Sequence, residues 1–353
     1  MKQILDWVRP AIKKALSTEC NPNDSLVETR PKVAMHLNEN PFGSPHNRYL
    51  NPSELRSREI IGQLKGGLRP QCVSLARGTA DAVERLMRTL CVPMRDNIIV
   101  VQPTTELYSR VAQVNDIEVR HTTLDDHFRL NVDEVLRAVG QYTKMIFIAS
   151  PNNPTGTLQR TESIQQLCEQ FDGVVIVDEA FSEFSRSESL IKLLPKHSNL
   201  IVVDSYSIAY AMASSRISAI FAHPLVIRAV EVLRYDYALD ASTASDIEMM
   251  PRRRFEADKW VKAILEERGR LMSAVAQLPI TKKVYPTSTN FFMVKFSNAE
   301  KVYKYLLSKG IAVFDCSNIS GCEDCLRITV GLSVDNNALV SALRQYTEKS
   351  FLS

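Results

Sequence analysis

The sequence predicts an α/β protein with a mostly parallel sheet, and two observations carry that expectation. Short β-branched runs alternate with amphipathic stretches of helical length from Leu75 onward. Three of these runs, Met145–Ala149, Val174–Val177 and Leu200–Val203, then hand over directly to polar groups: Ser150 to Asn153, Asp178-Glu179 and Asp204-Ser205. Open α/β sheets bind ligands at the carboxyl ends of their strands, so a site is expected there.

The first sixteen residues place Ile4, Leu5, Val8, Ile12 and Leu16 at helical spacing, interrupted by Pro10, and read as a docking arm or short helix. A polar link from Ser17 to Pro31 leads to a turn at Asn40-Pro41 and Gly43. The segment Ala76-Arg77-Gly78-Thr79-Ala80 enters a helix, where backbone amides suit an anion; a lone glycine there serves a simple turn equally well. A long apolar stripe, Ala257, Trp260, Val261, Ile264, Leu265, Leu271, Met272, Val275 and Leu278, reads as a helix linking two domains. Beyond it, Asn290–Lys295, Ile311–Phe314 and Leu326–Val330 read as strands, with helices over Ala299–Ser308 and Asn336–Tyr346. The expected division is an N-terminal arm, 1–40, joining a small domain; a large domain, 41–238; and a small α+β domain, 239–353.

Composition excludes several function classes. The 353 residues are 45% hydrophobic and carry a formal net charge of +3, and the one dense basic run, Arg252 to Arg254, reads as a solvated helix start. No nucleic-acid surface is expected. Seven scattered cysteines fit a reducing compartment, so the cytoplasm is the expected location. Cys316, Cys322 and Cys325 cluster, but no second pair or histidine completes a tetrahedral set, and no metal is expected. No run approaches the ~20 apolar residues of a membrane span, and the N-terminus has no secretory pattern.

The strand-end residues suit one chemistry together. A carboxylate at Asp178 either caps the next segment or pairs with a pyridinium nitrogen, keeping the ring protonated as an electron sink. Asn153 can donate to a phenolate-like ring oxygen, and Tyr108 can stack on a ring face or serve as ordinary core. Ser205, Ser207 and Arg216 form a hydroxyl-plus-guanidinium cup for a phosphate.

The series Asn38-Glu39-Asn40-Pro41, Asn47-Arg48-Tyr49, Ser150-Pro-Asn-Asn-Pro-Thr-Gly156, Val177-Asp178-Glu179-Ala180, Arg216 and Leu326-Arg327-Ile-Thr-Val-Gly331 closely resembles the pyridoxal-phosphate aminotransferases of fold type I, and within them histidinol-phosphate aminotransferase. The resemblance runs in register from about Leu37 to the C-terminus. It implies amino transfer between an amino acid and a 2-oxo acid or imidazole acetol phosphate. It also implies a homodimer with shared sites and a small domain closing over substrate. By matching position, Asp178 would face the pyridine nitrogen and Asn153 the ring oxygen. Gly78, Thr79, Ser205, Ser207 and Arg216 would surround the phosphate, with Tyr49 reaching in from the partner subunit. Tyr108 would lie on the ring, with Phe181 at its oxygen side, and Asn40 and Arg327 would contact substrate.

The departures define the second half of the expectation. The family's Ser-Lys dipeptide falls on Ser207-Ile208, and no lysine lies between Lys196 and Arg216. Phe181 and Thr105 occupy usual tyrosine positions, and Phe314 and Cys316 stand where the family carries arginines. Without an amine at 208 there is no covalent anchor and no poised base, and loss of a general base alone typically costs about 10²–10⁴ in rate. The expectation is therefore a protein that holds pyridoxal or pyridoxamine phosphate non-covalently and acts on a small amino donor or acceptor without ordinary transamination. The alternatives are a non-catalytic structural or regulatory partner of an active paralogue, forming a heterodimer, and an enzyme using another base such as His36, Tyr206 or Tyr210.

Overall fold

Apolar runs buried on both faces build the larger of two sheets. The computed structural model describes residues 4–17, 33, 35, 37–43, 47–49, 54–185, 187–234 and 239–352. The large sheet runs in the order β1 (Val73–Arg77), β7 (Ile217–Phe221), β6 (Leu200–Ser205), β5 (Val174–Asp178), β4 (Thr143–Ala149), β2 (Asn97–Gln102) and β3 (Glu118–Thr123). Strands β6, β5, β4, β2 and β3 are parallel, whereas β7 is antiparallel to both β6 and β1. Val175 and Val177 of β5 enter one apolar core and Val174 and Ile176 the other, which is why the run shows no alternation.

The helices of the larger unit are α1 (Pro10–Ser17), α2 (Leu55–Leu64), α3 (Thr79–Leu90), α4 (Leu107–Val114), α5 (Val132–Arg137), α6 (Thr161–Gln170) and α7 (Pro224–Glu231). The N-terminal arm differs from expectation. Rather than joining the smaller unit, Trp7, Val8 and Ile12 bury themselves in the large-sheet core beside α7, and Arg9 N donates to Thr89 O at 2.9 Å. Its apolar stripe is covered there. The polar link at 18–32 and His36 lie outside the described residues.

Helix α8 (Ala241–Ala276) joins the two sheets. Ile247, Met250 and Ala257 pack into the large-sheet core, while Leu271 and Val275 pack into the core of the smaller sheet. It begins earlier than its apolar stripe suggests, at Asp240, whose Oδ1 accepts from Thr243 N at 2.9 Å. Pro251 therefore lies inside the helix, and Arg252–Arg254 are not a helix start. Arg254 instead reaches Tyr210 and Asp258.

The smaller sheet is antiparallel, in the order β10 (Phe314–Asp315), β11 (Cys325–Thr329), β9 (Phe291–Phe296) and β8 (Thr281–Val284), and is backed by α9 (Ala299–Ser308) and α10 (Ser333–Leu352). The strand expected from Ile311 narrows to two residues, because Ile311 and Val313 satisfy their burial against the core without a ladder. Among the described residues, no helix is long and apolar enough to cross a membrane, and no group of three or more His, Cys, Asp or Glu is placed to hold a metal ion.

Candidate functional site

The carboxyl ends of β4, β5 and β6 bring together most of the polar residues singled out in the sequence. At one side Gly78 and the Arg216 guanidinium meet. Gly78 precedes α3 with φ 88°, a left-handed conformation that glycine adopts without strain, and no side chain caps the first turn. A Cβ at Gly78 would run into the Arg216 guanidinium, so the missing side chain is what admits it. Arg216 itself takes φ 52°, a conformation that a residue with a side chain adopts only when its surroundings enforce it. Ser205 and Ser207, at and just beyond the end of β6, are buried, and the Ser207 Oγ has no partner among the described groups. Open helix amides, a guanidinium and an unsatisfied buried hydroxyl form an acceptor-seeking set, which fits a phosphate.

Asp178 closes β5 and is buried. Its Oδ2 accepts from the Tyr108 hydroxyl at 2.7 Å and its Oδ1 from Ala180 N at 3.0 Å. Burial raises the Asp178 carboxyl above the usual range, and those two hydrogen bonds act in the opposite sense. Tyr108 corrects an expectation. Its ring is fully buried and stacks on Phe147 at 5.1 Å, so no face of it is left for a cofactor; it holds Asp178 from behind.

The adjacent asparagines divide their work. Asn152 is consumed by the turn, accepting from Thr104 Oγ1 at 2.9 Å and donating to Pro103 O at 2.8 Å and Thr155 Oγ1 at 2.9 Å. Asn153 accepts from Arg327 Nη1 through its amide oxygen, which leaves its NH₂ as the outward donor. Gly156, at φ 75°, keeps this turn closed against Thr287, whose side chain a Cβ would strike. Phe181 stands edge-on to Phe291 at 5.1 Å, and Arg327 crosses both Phe291 and Phe314, at 5.2 and 4.2 Å from their ring centres.

Ile208 is half-buried and packs against the apolar cluster that contains Tyr206, Tyr210, Met212 and Ile247. Lys65, just beyond α2 and far from this stretch in the chain, reaches the same strand end. Its Nζ lies 2.5 Å from Asp204 Oδ2, 2.8 Å from Glu183 Oε1 and 5.7 Å from the Tyr206 ring centre. Burial disfavours its charge, but Asp204, Tyr206 and Glu183 outweigh that and hold Lys65 well above the ordinary lysine range. A protonated, doubly paired ammonium is a poor nucleophile. Next to it, burial and Asp204 push the Glu179 carboxyl up to about 7.

Two expected residues stand apart within one chain. Asn40 and Tyr49 sit on a loop closed by Glu39, which accepts from Arg48 Nη1 at 2.5 Å and from Tyr49 N at 2.6 Å; Tyr49 is 57% exposed. Besides Lys65, the residue that the sequence leaves unmarked is Phe291, and Asp204, marked there only as a strand-end group, gains Lys65 as its partner. In the sequence Phe291 reads as ordinary strand.

A large, mainly parallel sheet with polar groups at its strand ends, joined by one long helix to a small antiparallel sheet, defines an α/β protein of fold type I. A family model described as aminotransferase class I and II matches residues 19–343. A histidinol-phosphate aminotransferase from Bacteroides thetaiotaomicron is 35% identical over 346 residues, covering 98% of this chain and 99% of that one. The chain belongs to the class I and II aminotransferase family. Its fold is shared with the histidinol-phosphate aminotransferase of Clostridium acetobutylicum, at TM-score 0.77 and 20% identity over 86% of this chain and 91% of that one. It is also shared with the Sinorhizobium meliloti enzyme, solved in complex with pyridoxal-5'-phosphate, at TM-score 0.78 and 17% identity over 97% and 88%.

Proposed function

We propose that this chain is a histidinol-phosphate-aminotransferase-like protein that binds pyridoxal or pyridoxamine phosphate without a covalent lysine link. The observation that carries the reading is a pairing of fit and misfit. The cup of Gly78, Thr79, Ser205, Ser207 and Arg216 suits the phosphate, and the unpartnered Ser207 hydroxyl is a ready donor. Position 208, by contrast, carries an apolar side chain packed into the core.

When bound, the pyridine ring supplies an electron sink for a substrate carbanion. The chain's own residues would hold and tune it. Asp178, backed by Tyr108 and Ala180, keeps a negative charge against the ring nitrogen. Asn153, its oxygen fixed by Arg327, turns its NH₂ toward the ring oxygen. Arg327 holds a substrate anion, while Phe181 offers an apolar edge where a hydroxyl would otherwise stand. Asn40, by matching position, would contact substrate, and Tyr49, exposed on one chain, would reach the site of a second copy in a homodimer. Lys65 cannot substitute for the amine, because Asp204 and Glu183 hold its proton.

A non-catalytic role beside an active paralogue is the second reading, favoured by the joint replacement at Phe181, Ile208 and Phe314. A half-reaction separates the two. The purified chain loaded with pyridoxal phosphate is mixed with histidinol phosphate or glutamate, and the cofactor spectrum is followed. The amino-transfer reading predicts slow conversion, at least about 10²-fold below the rate of an Ile208→Lys variant. Cofactor binding with no conversion over hours supports the second reading, and absence of cofactor binding contradicts both its non-covalent retention and the first reading.

A further inference from the structure

The loop between β3 and α5 ties the larger unit to the smaller one. From this loop Phe128 is buried in a cluster with Met293, Cys316, Cys322 and Cys325 of the smaller unit, its ring centre 5.4 Å from that of Tyr285. Its φ of 57° is uncommon for a bulky residue, and the buried ring enforces it. The loop is also pinned on its own side. Asp125 Oδ1 accepts from His127 N and Arg129 N, both at 2.8 Å, and Gln159 Nε2 donates to Phe128 O at 3.0 Å. Close by, Ser288 N of the smaller unit donates to Gly156 O of the larger one at 2.8 Å.

A cavity of about 300 Å³ opens over this seam. Its wall takes Asp126, His127 and Arg129 from the larger unit, Lys283 and Ser288 from the smaller one, and Thr157 from the Gly156 turn. Among the described residues, the side chains of His127, Arg129 and Lys283 have no ion pair and no hydrogen bond; Lys283 Nζ rests 4.5 Å from the Tyr285 ring centre. The hydroxyls of Thr157 and Ser288 are uncommitted in the same sense. Asp126 is the one carboxylate on the wall, and Asp125, which holds the loop amides, does not line it.

Three basic groups thus converge from both sides of a concave seam against a single acid. Cations brought together across a cleft repel one another until an anion sits between them, and concave walls concentrate that field. The donors also differ in direction: a guanidinium fork, an ammonium, an imidazole N–H and two hydroxyls. A tetrahedral phosphate has enough acceptor oxygens to meet donors on both walls at once, whereas a carboxylate presents one planar edge.

We propose that this cavity binds a phosphate dianion, free or as a monoester, gripped by His127 and Arg129 on one side and Lys283 on the other, so that the bound anion bridges the two units. The site shares no wall residue with the cup at Gly78 and Arg216, nor with Asp178, Asn153 and Arg327.

Isothermal titration of the full-length chain with inorganic phosphate, in a chloride buffer of low ionic strength, tests it. The cup at Gly78 and Arg216 also suits phosphate, so the seam is read as the component of binding that its own wall residues alter. Arg129→Gln and Lys283→Gln are each expected to weaken that component about three- to tenfold, and Asp126→Asn to tighten it about twofold. Lys283→Arg, which keeps the charge, should bind within about twofold of the unmodified chain, and Arg216→Gln should leave the component unchanged. All three wall residues are exposed, and circular dichroism checks that the variants fold; His127→Asn, with the same expected weakening, replaces Arg129→Gln if that variant does not. Glycerol 2-phosphate binding the same component more tightly than inorganic phosphate supports a monoester as the ligand, and the reverse order supports the free ion. Absence of any component that responds to both walls overturns the proposal. So does weakening by Arg129→Gln with none by Lys283→Gln, because the anion would then bridge nothing.

Discussion

Gly78 and Arg216 depend on one another at the level of single side chains. Arg216 fills the space that a Cβ at Gly78 would claim, and each of the two has a positive φ. Gly78→Ala should therefore act twice, straining the backbone and displacing the guanidinium from the cup. A fluorescence titration with pyridoxal phosphate is expected to show affinity reduced about tenfold or more, equivalent to about 1.4 kcal/mol. Unchanged affinity would mean that the phosphate does not sit there. At this scale the sequence was informative wherever a residue type is chemically committed: Asp178, Asn153, Ser207 and Arg216 were all legible at strand ends. Tyr108 was not, since an aromatic side chain reads the same whether its ring faces a ligand or Phe147.

Strand β6 shows how an element serves two faces at once. Asp204 turns to Lys65 on one side, and just beyond it Ser207 N donates to Ser205 Oγ at 3.4 Å. Lys65 also ties Glu183, and Glu183 meets Arg254 of α8 at 3.5 Å, so the strand end is braced to the helix that joins the two sheets. Glu179 sits inside this network, with Ser189 Oγ donating to Oε2 at 2.5 Å and Leu190 N to Oε1 at 2.7 Å. Its folded value of about 7 lies above the ordinary 4.5 of an unfolded chain. Between those values the folded state binds more protons, so stability from this group is full below about 4.5 and is lost as pH rises through about 7. Thermal unfolding across that window should show a decline that Glu179→Gln flattens, a difference of about 1–3 kcal/mol. An identical slope in the variant would remove Glu179 from the account. Strands of this kind were legible because each is a continuous apolar run. The brace was not, because Lys65 and Asp204 are far apart in sequence and only the packing of α2 beneath the sheet makes them neighbours. The start of α8 was missed for a related reason: its first turns are polar, and Pro251 looks like a boundary.

For the molecule as a whole, the large sheet sets Asp178, Asn153 and Ser207 at or just beyond its strand ends, and β11 of the small sheet brings Arg327 to Asn153. The N-terminal arm is a reminder that an amphipathic stripe tells that it docks, not where; Trp7, Val8 and Ile12 found the large sheet. Family membership follows from the match over residues 19–343; the proposal that the chain holds its cofactor without a lysine link is a separate claim. The most direct test of non-covalent cofactor binding is borohydride reduction of the chain saturated with pyridoxal phosphate, followed by peptide mapping of every lysine. The account predicts stoichiometric cofactor binding before reduction and no stoichiometric pyridoxyl-lysine after it, Lys65 included. A one-to-one adduct on a single lysine would contradict it.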